Sequence, residues 1–315
     1  MPIIKVTGLA YVRLRSPDLD EAESFLTAFG MVRSARTGTA LYMRGTDPDH
    51  HIHITELGEP RFVGLAFKAD SADDLARISR VAGASAIEAM DEPGAGRRVR
   101  LIDPHGYTIE VVHGMEPSAP LPVRRNDVNR GEEPLRRRSA LTRLPRGPSQ
   151  VKHIAHAVIM TPQLREGIRW YREMFGLVCS DEVYAGSVDN IVASFNRCDR
   201  GDEYVDHHVF LCTQGARTGL HHVSFEVRDI DDVIMGHEHM AATGRYRHVW
   251  GVGRHVLGSQ VFDYWTDPWG RVHEHWTDTD MLNIHDAPNL LTAEEGLGSQ
   301  WGDPPPEWFT GHASP

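Results

Sequence analysis

The chain repeats itself, and this internal repeat restricts its fold more than any other feature. Each copy opens with a strand pattern, continues with Ser/Thr-Pro before a helix pattern, and reaches Phe-Gly where the helix ends. Proline at a helix start and glycine just past its end are the usual asymmetry of helix termini. Three pairs of segments match in the same order along the chain: 6–32 with 151–178, 63–78 with 221–236, and 101–114 with 264–278. Repeats of this length indicate a duplicated structure.

Each half therefore contains two units in which one strand and one helix precede several strands, and each half ends in an Asp-Pro-x-Gly hairpin. The sequence predicts an α+β fold with four βαβββ modules that form two similar barrel-like domains. The predicted divisions are an N-terminal domain at 1–114, a Pro- and Arg-rich linker at 115–150, a C-terminal domain at 151–282 and a tail at 283–315. The tail could cover a pocket mouth, and a packing strap or a subunit contact is an equal alternative.

Charge and cysteine content exclude several classes of function. The chain has 33 Lys+Arg against 44 Asp+Glu, a net charge of −11, which argues against a nucleic-acid-binding face. No apolar run approaches the roughly 20 residues that span a bilayer, and the N-terminus reads as a strand, so we expect a cytoplasmic protein without a membrane partner. Cys179, Cys198 and Cys212 have neither paired spacing nor a disulfide framework.

Three equivalent positions, two of which differ between the halves, indicate a metal site in the second half. The pairs are Tyr11 with His156, Gly64 with His222, and Glu110 with Glu274. A single histidine in a strand is usually a core or surface residue, but two histidines and a carboxylate at repeat-equivalent positions of one half are hard to obtain by accident. They predict a 2-His-1-carboxylate triad, which leaves coordination positions open and is typical of non-haem Fe(II), with Mn(II) as a possible substitute.

The stretches around these residues carry a family resemblance. They are IAHAVIMTP with His156, GLHHVSFEV with His222, and the run from GVGRH through FDYWTDPWGRVHE, which contains His255, Tyr264 and Glu274. Nearly the whole chain resembles the type I extradiol (meta-cleaving) catechol dioxygenases of the vicinal oxygen chelate superfamily. The resemblance implies an oxidoreductase that uses Fe(II) and O₂ to cleave an aromatic ring bearing a vicinal diol. It also implies a catalytic C-terminal domain, a non-catalytic N-terminal domain and a homo-oligomer.

The resemblance also implies roles for individual residues. His208 matches the spacing of the family's catalytic histidine, and His207 is its rival, because strand alternation lets only one of them face the metal. Tyr264 and His255 would hydrogen-bond the substrate oxygens. Ser259 departs from the polar amide that several relatives have near this position. By alternation, His221 should face away from His222, and His273 and His275 should face the helix side of the sheet.

Other functions on the same scaffold remain open from sequence. A glyoxalase-like isomerase or epimerase uses similar ligands, usually four of them drawn from paired units. The hydroxyphenylpyruvate dioxygenases share the triad but have a longer C-terminal region. A drug-sequestering protein of the superfamily lacks a complete triad, so bound iron together with O₂ uptake on adding catechol would separate these alternatives.

Overall fold

The computed structural model of the chain describes residues 1–124 and 127–315. In the first half, the first module comprises β1 (Val6–Ser16), α1 (Leu19–Phe29), β2 (Val32–Arg36), β3 (Ala40–Arg44) and β4 (His53–Leu57). The second module comprises β5 (Arg61–Ala69), α2 (Ala72–Ile78), β6 (Glu88–Ala89), β7 (Arg97–Ile102) and β8 (Thr108–His113). Their strands form one sheet in the order β2-β3-β4-β1-β5-β8-β7-β6.

The second half repeats this arrangement with one addition. Its first module comprises β9 (Val151–Thr161), α3 (Leu164–Phe175), β10 (Leu177–Tyr184), β11 (Ile191–Cys198), the added β12 (Val205–Asp206) and β13 (Phe210–Gln214). Its second module comprises β14 (Gly219–Val227), α4 (Ile230–Thr243), β15 (His248–His255), β16 (Val261–Thr266) and β17 (Val272–Thr277). The predicted α+β class and its four βαβββ modules are therefore confirmed.

The tail extends the second sheet at both edges. It contains β18 (Met281–Leu282), β19 (Asn289–Thr292), α5 (Ala293–Gly296), β20 (Ser299–Trp301) and α6 (Glu307–Thr310). The ten-stranded order is β19-β10-β11-β13-β9-β14-β17-β16-β15-β20, and β12 pairs with β18 outside that sheet. Because β19 and β20 lie at opposite edges and only residues 293–298 separate them, a reach of at most about 25 Å, the sheet is curled so that these two edges approach each other. The domain division drawn from the sequence stays a prediction.

Local sequence accounts for the helix boundaries. Asp18 caps α1 by accepting hydrogen bonds from the backbone N–H groups of residues 20 and 21, and Gly30 ends the helix with a φ of 112°. Gly176 ends α3 in the same way with a φ of 67°. The predicted apolar stripe of α3 is buried: Leu164, Ile168, Tyr171 and Phe175. Within the described residues, no helix is long and apolar enough to cross a bilayer.

The two halves share one apolar core. The ring of Phe29, at the end of α1, stacks on His275 of β17 with ring centroids 3.7 Å apart. In the reciprocal position, Phe175 at the end of α3 stacks on Phe67 of β5 at 4.8 Å. His273 also packs against Phe29, so His273 and His275 face the helix side of the sheet as predicted. Each half thus places its first helix against the sheet of the other.

Candidate metal centre and substrate cavity

Strand register brings the three predicted ligands together. Ser224 on β14 lies opposite His156 on β9 and opposite Glu274 on β17, so these two residues flank the same point of the sheet. His222 precedes Ser224 by two residues, which keeps it on the same face, because side chains alternate along a strand. Three adjacent strands therefore present the triad from one surface.

The ligand atoms lie close enough to share one ion. His156 Nε2 is 3.0 Å from Glu274 Oε2 and 3.1 Å from His222 Nε2. His222 Nε2 is 3.4 Å from the same carboxylate oxygen. The three residues are 3%, 7% and 0% exposed, for His156, His222 and Glu274 respectively. This is the geometry of three donors converging on a single point.

The hydrogen-bond inventory of the triad is incomplete without a cation. Both carboxylate oxygens of Glu274 are buried without a hydrogen-bond partner among the described residues. Burying an ionised carboxylate without a compensating charge costs several kcal/mol or more. Two nitrogens and one carboxylate oxygen are donors that Fe(II) and Mn(II) both accept. The residues present therefore fit a divalent metal.

Electrostatics keep the ligands in the protonation states that metals bind. Burial by itself would raise the pKa of Glu274, but the imidazoles of His156, His222 and His255 lower it well below its usual range. Burial lowers the pKa of His156, against the opposing charge of Glu274. The site thus contains an anionic carboxylate beside a neutral imidazole, as metal coordination requires.

A cavity of about 250 Å³ opens beside the triad. His208, His255 and Tyr264 all line it together with His156 and His222. His255 Nε2 lies 2.9 Å from the hydroxyl of Tyr264 and 3.5 Å from Glu274 Oε1. The ring of His208 lies against His156, with centroids 4.2 Å apart. The three residues predicted to contact substrate therefore surround the open side of the triad.

His207 and His208 separate as the sequence suggested, but not through strand alternation. Both lie in the connection before β13 and outside a regular strand. His208 faces the cavity, whereas His207 turns away and places its Nε2 2.6 Å from Asp181 Oδ2. This connection, at 199–209, is longer than its counterpart at 45–52 in the first half.

One expectation from sequence was wrong. His221 lines the cavity beside His222, because a β-bulge between Leu220 and His222 interrupts the alternation. Next to Ser259, the side-chain amide of Gln260 is buried and lines the cavity. Its position one residue further on was readable in the sequence, but its direction was not.

The tail forms part of the cavity wall. Phe309 and Pro305 face the cavity from beside α6, and Gly296 to Gly298 do so from the end of α5. The cavity is also lined by four members of an apolar cluster: Val158, Phe195, Leu211 and Leu257. Among the described residues that line the cavity, none is lysine or arginine. Of the two sequence-based alternatives for the tail, covering the pocket describes the structure.

A second group of potential ligands lies on the outer face of the same sheet. His237 Nδ1 and His248 Nε2 lie 3.1 and 2.8 Å from Asp263 Oδ1. Trp265 Nε1 donates to the other carboxylate oxygen at 2.5 Å. Both oxygens of Asp263 are therefore satisfied by the protein, unlike those of Glu274. This group does not require a cation.

Comparison with known proteins supports one family. The family model of the Glyoxalase/Bleomycin resistance protein/Dioxygenase superfamily matches residues 153–274. Metapyrocatechase 2 of Cupriavidus necator is 32% identical over 311 residues, which cover 96% of this chain and 91% of that protein.

Two solved structures share the fold. The Mn(II)-bound glyoxalase of Novosphingobium aromaticivorans has a TM-score of 0.79 at 22% identity, covering 99% of this chain and 96% of that one. A substrate complex of homoprotocatechuate 2,3-dioxygenase from Brevibacterium fuscum also has a TM-score of 0.79, at 18% identity, covering 99% and 94%. At these identities the structures establish the fold, whereas the near-full-length match to metapyrocatechase 2 establishes the family. The chain belongs to the extradiol catechol dioxygenases of the vicinal oxygen chelate superfamily.

Proposed function

We propose that this enzyme inserts both atoms of O₂ into a catechol-type aromatic vicinal diol, using Fe(II) held by His156, His222 and Glu274. The observation that carries the proposal is the convergence of two imidazoles and a buried carboxylate without a hydrogen-bond partner among the described residues, at the wall of a cavity that is also lined by His208, His255 and Tyr264. Three protein ligands leave room for both a chelating diol and O₂. Mn(II) fits the same donors.

When bound, Fe(II) would supply Lewis acidity that eases ionisation of a phenol, together with the redox chemistry that O₂ requires. The protein supplies orientation and proton handling. Tyr264 and His255 form a hydrogen-bonded pair whose polar atoms face the cavity beside Glu274. In the proposal these two residues hold the diol oxygens and fix the plane of the ring.

The protonation states of the cavity residues suit these roles. Burial and the charge of Glu274 raise the pKa of Tyr264 well above its usual value, so its hydroxyl keeps its proton and can donate. Burial, reinforced by His156 and His207, lowers the pKa of His208 well below its usual value. His208 therefore enters the reaction as a neutral imidazole that can take a proton at one step and return it at another.

The lining favours a ring without a negatively charged substituent. Apart from its histidines, the cavity is bordered mainly by aliphatic and aromatic side chains, and the described lining contains no cationic side chain that would pair with a carboxylate. A carboxylate transferred into such a site would lose hydration without compensation. We expect catechol and its alkyl- or aryl-substituted forms to be preferred over 3,4-dihydroxyphenylacetate.

The test is anaerobic loading of the enzyme with Fe(II), addition of catechol, and then admission of O₂. We expect O₂ consumption and a yellow ring-opened semialdehyde. His208→Ala should keep its iron and lose most of its turnover, whereas His156→Ala should lose the iron. Fully loaded enzyme that consumes no O₂ with any catechol in a panel would overturn the proposal, and O₂-independent turnover of another substrate would favour an isomerase.

We also propose that the chain forms a homo-oligomer. The tail exposes three large apolar side chains, since Leu290, Leu297 and Trp301 are 52%, 45% and 46% exposed. A subunit contact would remove these side chains from water, which is favourable for apolar surface. Light scattering during size-exclusion chromatography tests the proposal, and a monomer at micromolar concentration would contradict it.

A further inference from the structure

A chain of hydrogen bonds leads from the tail to the substrate cavity, and it is buried from Asp181 onward. Asn289 of β19 donates from both its backbone N–H and its side-chain Nδ2 to Asp181 Oδ1, at 3.2 and 2.8 Å. Asp181 Oδ2 lies 2.6 Å from His207 Nε2. His207 Nδ1 lies 3.0 Å from His208 Nδ1. Asp181, His207 and His208 are 2%, 3% and 4% exposed, respectively, so bulk water does not compete for the two bonds that join these three residues.

Counting hydrogens along this chain fixes the state of each ring. A carboxylate only accepts hydrogen bonds, so His207 Nε2 must carry the hydrogen that Asp181 receives. A neutral imidazole has one N–H, which leaves His207 Nδ1 as an acceptor. The hydrogen between the two Nδ1 atoms therefore belongs to His208. His208 is left with an unprotonated Nε2, which is the nitrogen not engaged by His207.

We propose that Asp181 and His207 are positioning residues that hold His208 in the orientation and tautomer with Nε2 free to accept a hydrogen bond in the cavity. The inference rests on the proposed function, in which His208 handles a proton of the reaction. It adds two residues that do not touch the cavity. Asp181 acts on His208 through His207, as a carboxylate behind a ligating or catalytic histidine commonly does.

The first half contains an internal control for this arrangement. By strand register, His50 and His51 occupy the positions of His207 and His208, and their Nδ1 atoms are also 3.0 Å apart. Ala35 lies opposite Tyr42 as Asp181 lies opposite Phe195. The half without the metal ligands thus keeps the histidine pair but has alanine in place of the carboxylate. The carboxylate accompanies the reactive half only.

Asp181→Asn tests the inference because its outcome is dictated by Asn289. Two donors from Asn289 face one atom of residue 181, so the new amide must place its oxygen there and its NH₂ group towards His207. His207 Nε2 would then accept, its Nδ1 would donate, and His208 would carry its hydrogen on Nε2. The substitution should reverse the tautomer of His208 while changing almost no volume.

The first readout is independent of activity. In ¹⁵N-histidine NMR of the enzyme loaded with diamagnetic Zn(II), with His208→Ala used for assignment, we expect His208 to be protonated at Nδ1 and to switch to Nε2 in Asp181→Asn. A wild-type enzyme with the hydrogen on Nε2, or a tautomer unchanged by Asp181→Asn, would overturn the inference. Neither result depends on whether catechol is the substrate.

The second readout separates positioning from general structural support. Asp181→Asn should lower kcat about 10- to 100-fold with iron content retained and KM changed less than about twofold. In the His208→Ala background it should have no further effect on kcat, because its action passes through that ring. His50→Asn, which alters the first-half equivalent of His207, should leave kcat unaltered. An equal loss from Asp181→Asn with and without His208 would contradict the inference.

Discussion

The two halves of the molecule place a buried glutamate at the same point of the same sheet and treat it in opposite ways. Glu110 on β8 and Glu274 on β17 are 3% and 0% exposed, and each lies opposite an equivalent residue of the central strand, Ala66 or Ser224. Glu110 is fully engaged by the protein. Its Oε2 accepts from the hydroxyl of Tyr11 at 2.8 Å and from Arg13 at 3.0 Å.

The other oxygen of Glu110 pairs with two more guanidinium groups, those of Arg98 and Arg100, each at 3.2 Å. Glu274 has no cationic side chain among its described neighbours, only imidazoles. A buried carboxylate needs a compensating charge. The first half supplies that charge with its own arginines, whereas none of the described side chains supplies it in the second half, where the proposed metal ion would do so.

The backbone of the first half also excludes a metal ligand at the position equivalent to His222. Gly64 occupies the place of His222, and a Cβ atom there would lie 1.7 Å from the carbonyl oxygen of Thr108. No side chain fits at that point without moving β8. The first half is therefore closed to a metal by packing as well as by its arginines.

The largest expected effect comes from removing each glutamate's charge in turn. Glu274→Gln should abolish metal binding and with it ring cleavage, because the triad loses its only anion. Glu110→Gln should retain the metal and kcat, but should lower the free energy of unfolding by about 1–3 kcal/mol, since three arginines lose a charged acceptor. Metal analysis, O₂ uptake and denaturant titration measure these outcomes.

The comparison becomes sharper when both variants are studied without metal. Metal-free Glu274→Gln should be at least as stable as the metal-free wild type, because the unpaired buried charge is gone. Glu110→Gln should be less stable than the wild type with or without metal. If Glu110→Gln lost its metal as completely as Glu274→Gln, the two glutamates would not have the separate roles described above.

The next effect concerns the closed position at Gly64. Gly64→Ala should destabilise the fold by about 3 kcal/mol, because the new methyl group must displace the backbone of β8. Gly38→Ala is a suitable control, since a Cβ at Gly38 meets no atom within 4 Å, and it should change stability by less than about 0.5 kcal/mol. Equal unfolding midpoints for these variants would show that the first half can open at this point.

The smallest effect is a pH dependence at the contact between the halves. His153 of the second half lies 2.7 Å from Asp47 of the first and 3.2 Å from Glu226. Burial alone would lower the pKa of His153, but the hydrogen bond to Asp47 and the charge of Glu226 raise it. The protonated ring is thus favoured in the folded state.

A histidine whose pKa is raised by folding stabilises the folded protein fully at pH values below its unfolded-state pKa of about 6.5. This contribution to the free energy of unfolding is lost as the pH rises through the folded-state pKa. Between pH 6 and pH 8, the Tm of the wild type should therefore fall by about 2 °C more than the Tm of His153→Gln. Thermal unfolding followed by circular dichroism measures the difference. Parallel pH profiles for the two proteins would show that this contact does not hold the halves together.

Several features followed from sequence because they are local or repeated. The duplication, the helix ends at Gly30 and Gly176, and the inward parity of Glu274 depend on residue types within one or two elements. The difference between Tyr11 and His156 could also be found from the sequence, because finding it requires only the alignment of one half on the other. In the structure, Tyr11 lies opposite Ala66 of β5, and His156 lies opposite Ser224, the equivalent residue of β14. The strand register therefore places Tyr11 and His156 at equivalent points of the two sheets.

Other features depended on contacts between distant segments. The sequence did not reveal that Asp181 lies behind His207, because that contact depends on how β10 packs beside the loop before β13. Gln260 and His221 line the cavity because of backbone irregularities that cannot be read from residue types. The hydrogen bonds from Asn289 to Asp181, which is 108 residues away in the sequence, depend on the tail pairing with the β10 edge of the sheet.

The sequence by itself determined the modules, the faces of their strands and the three residues able to bind a metal, since periodicity and repetition encode these locally. Only the tertiary structure decided that one glutamate is neutralised by arginines and the other is left for an ion. That choice depends on which side chains from separate strands meet in a space closed to water, where the cost of an unpaired charge is greatest.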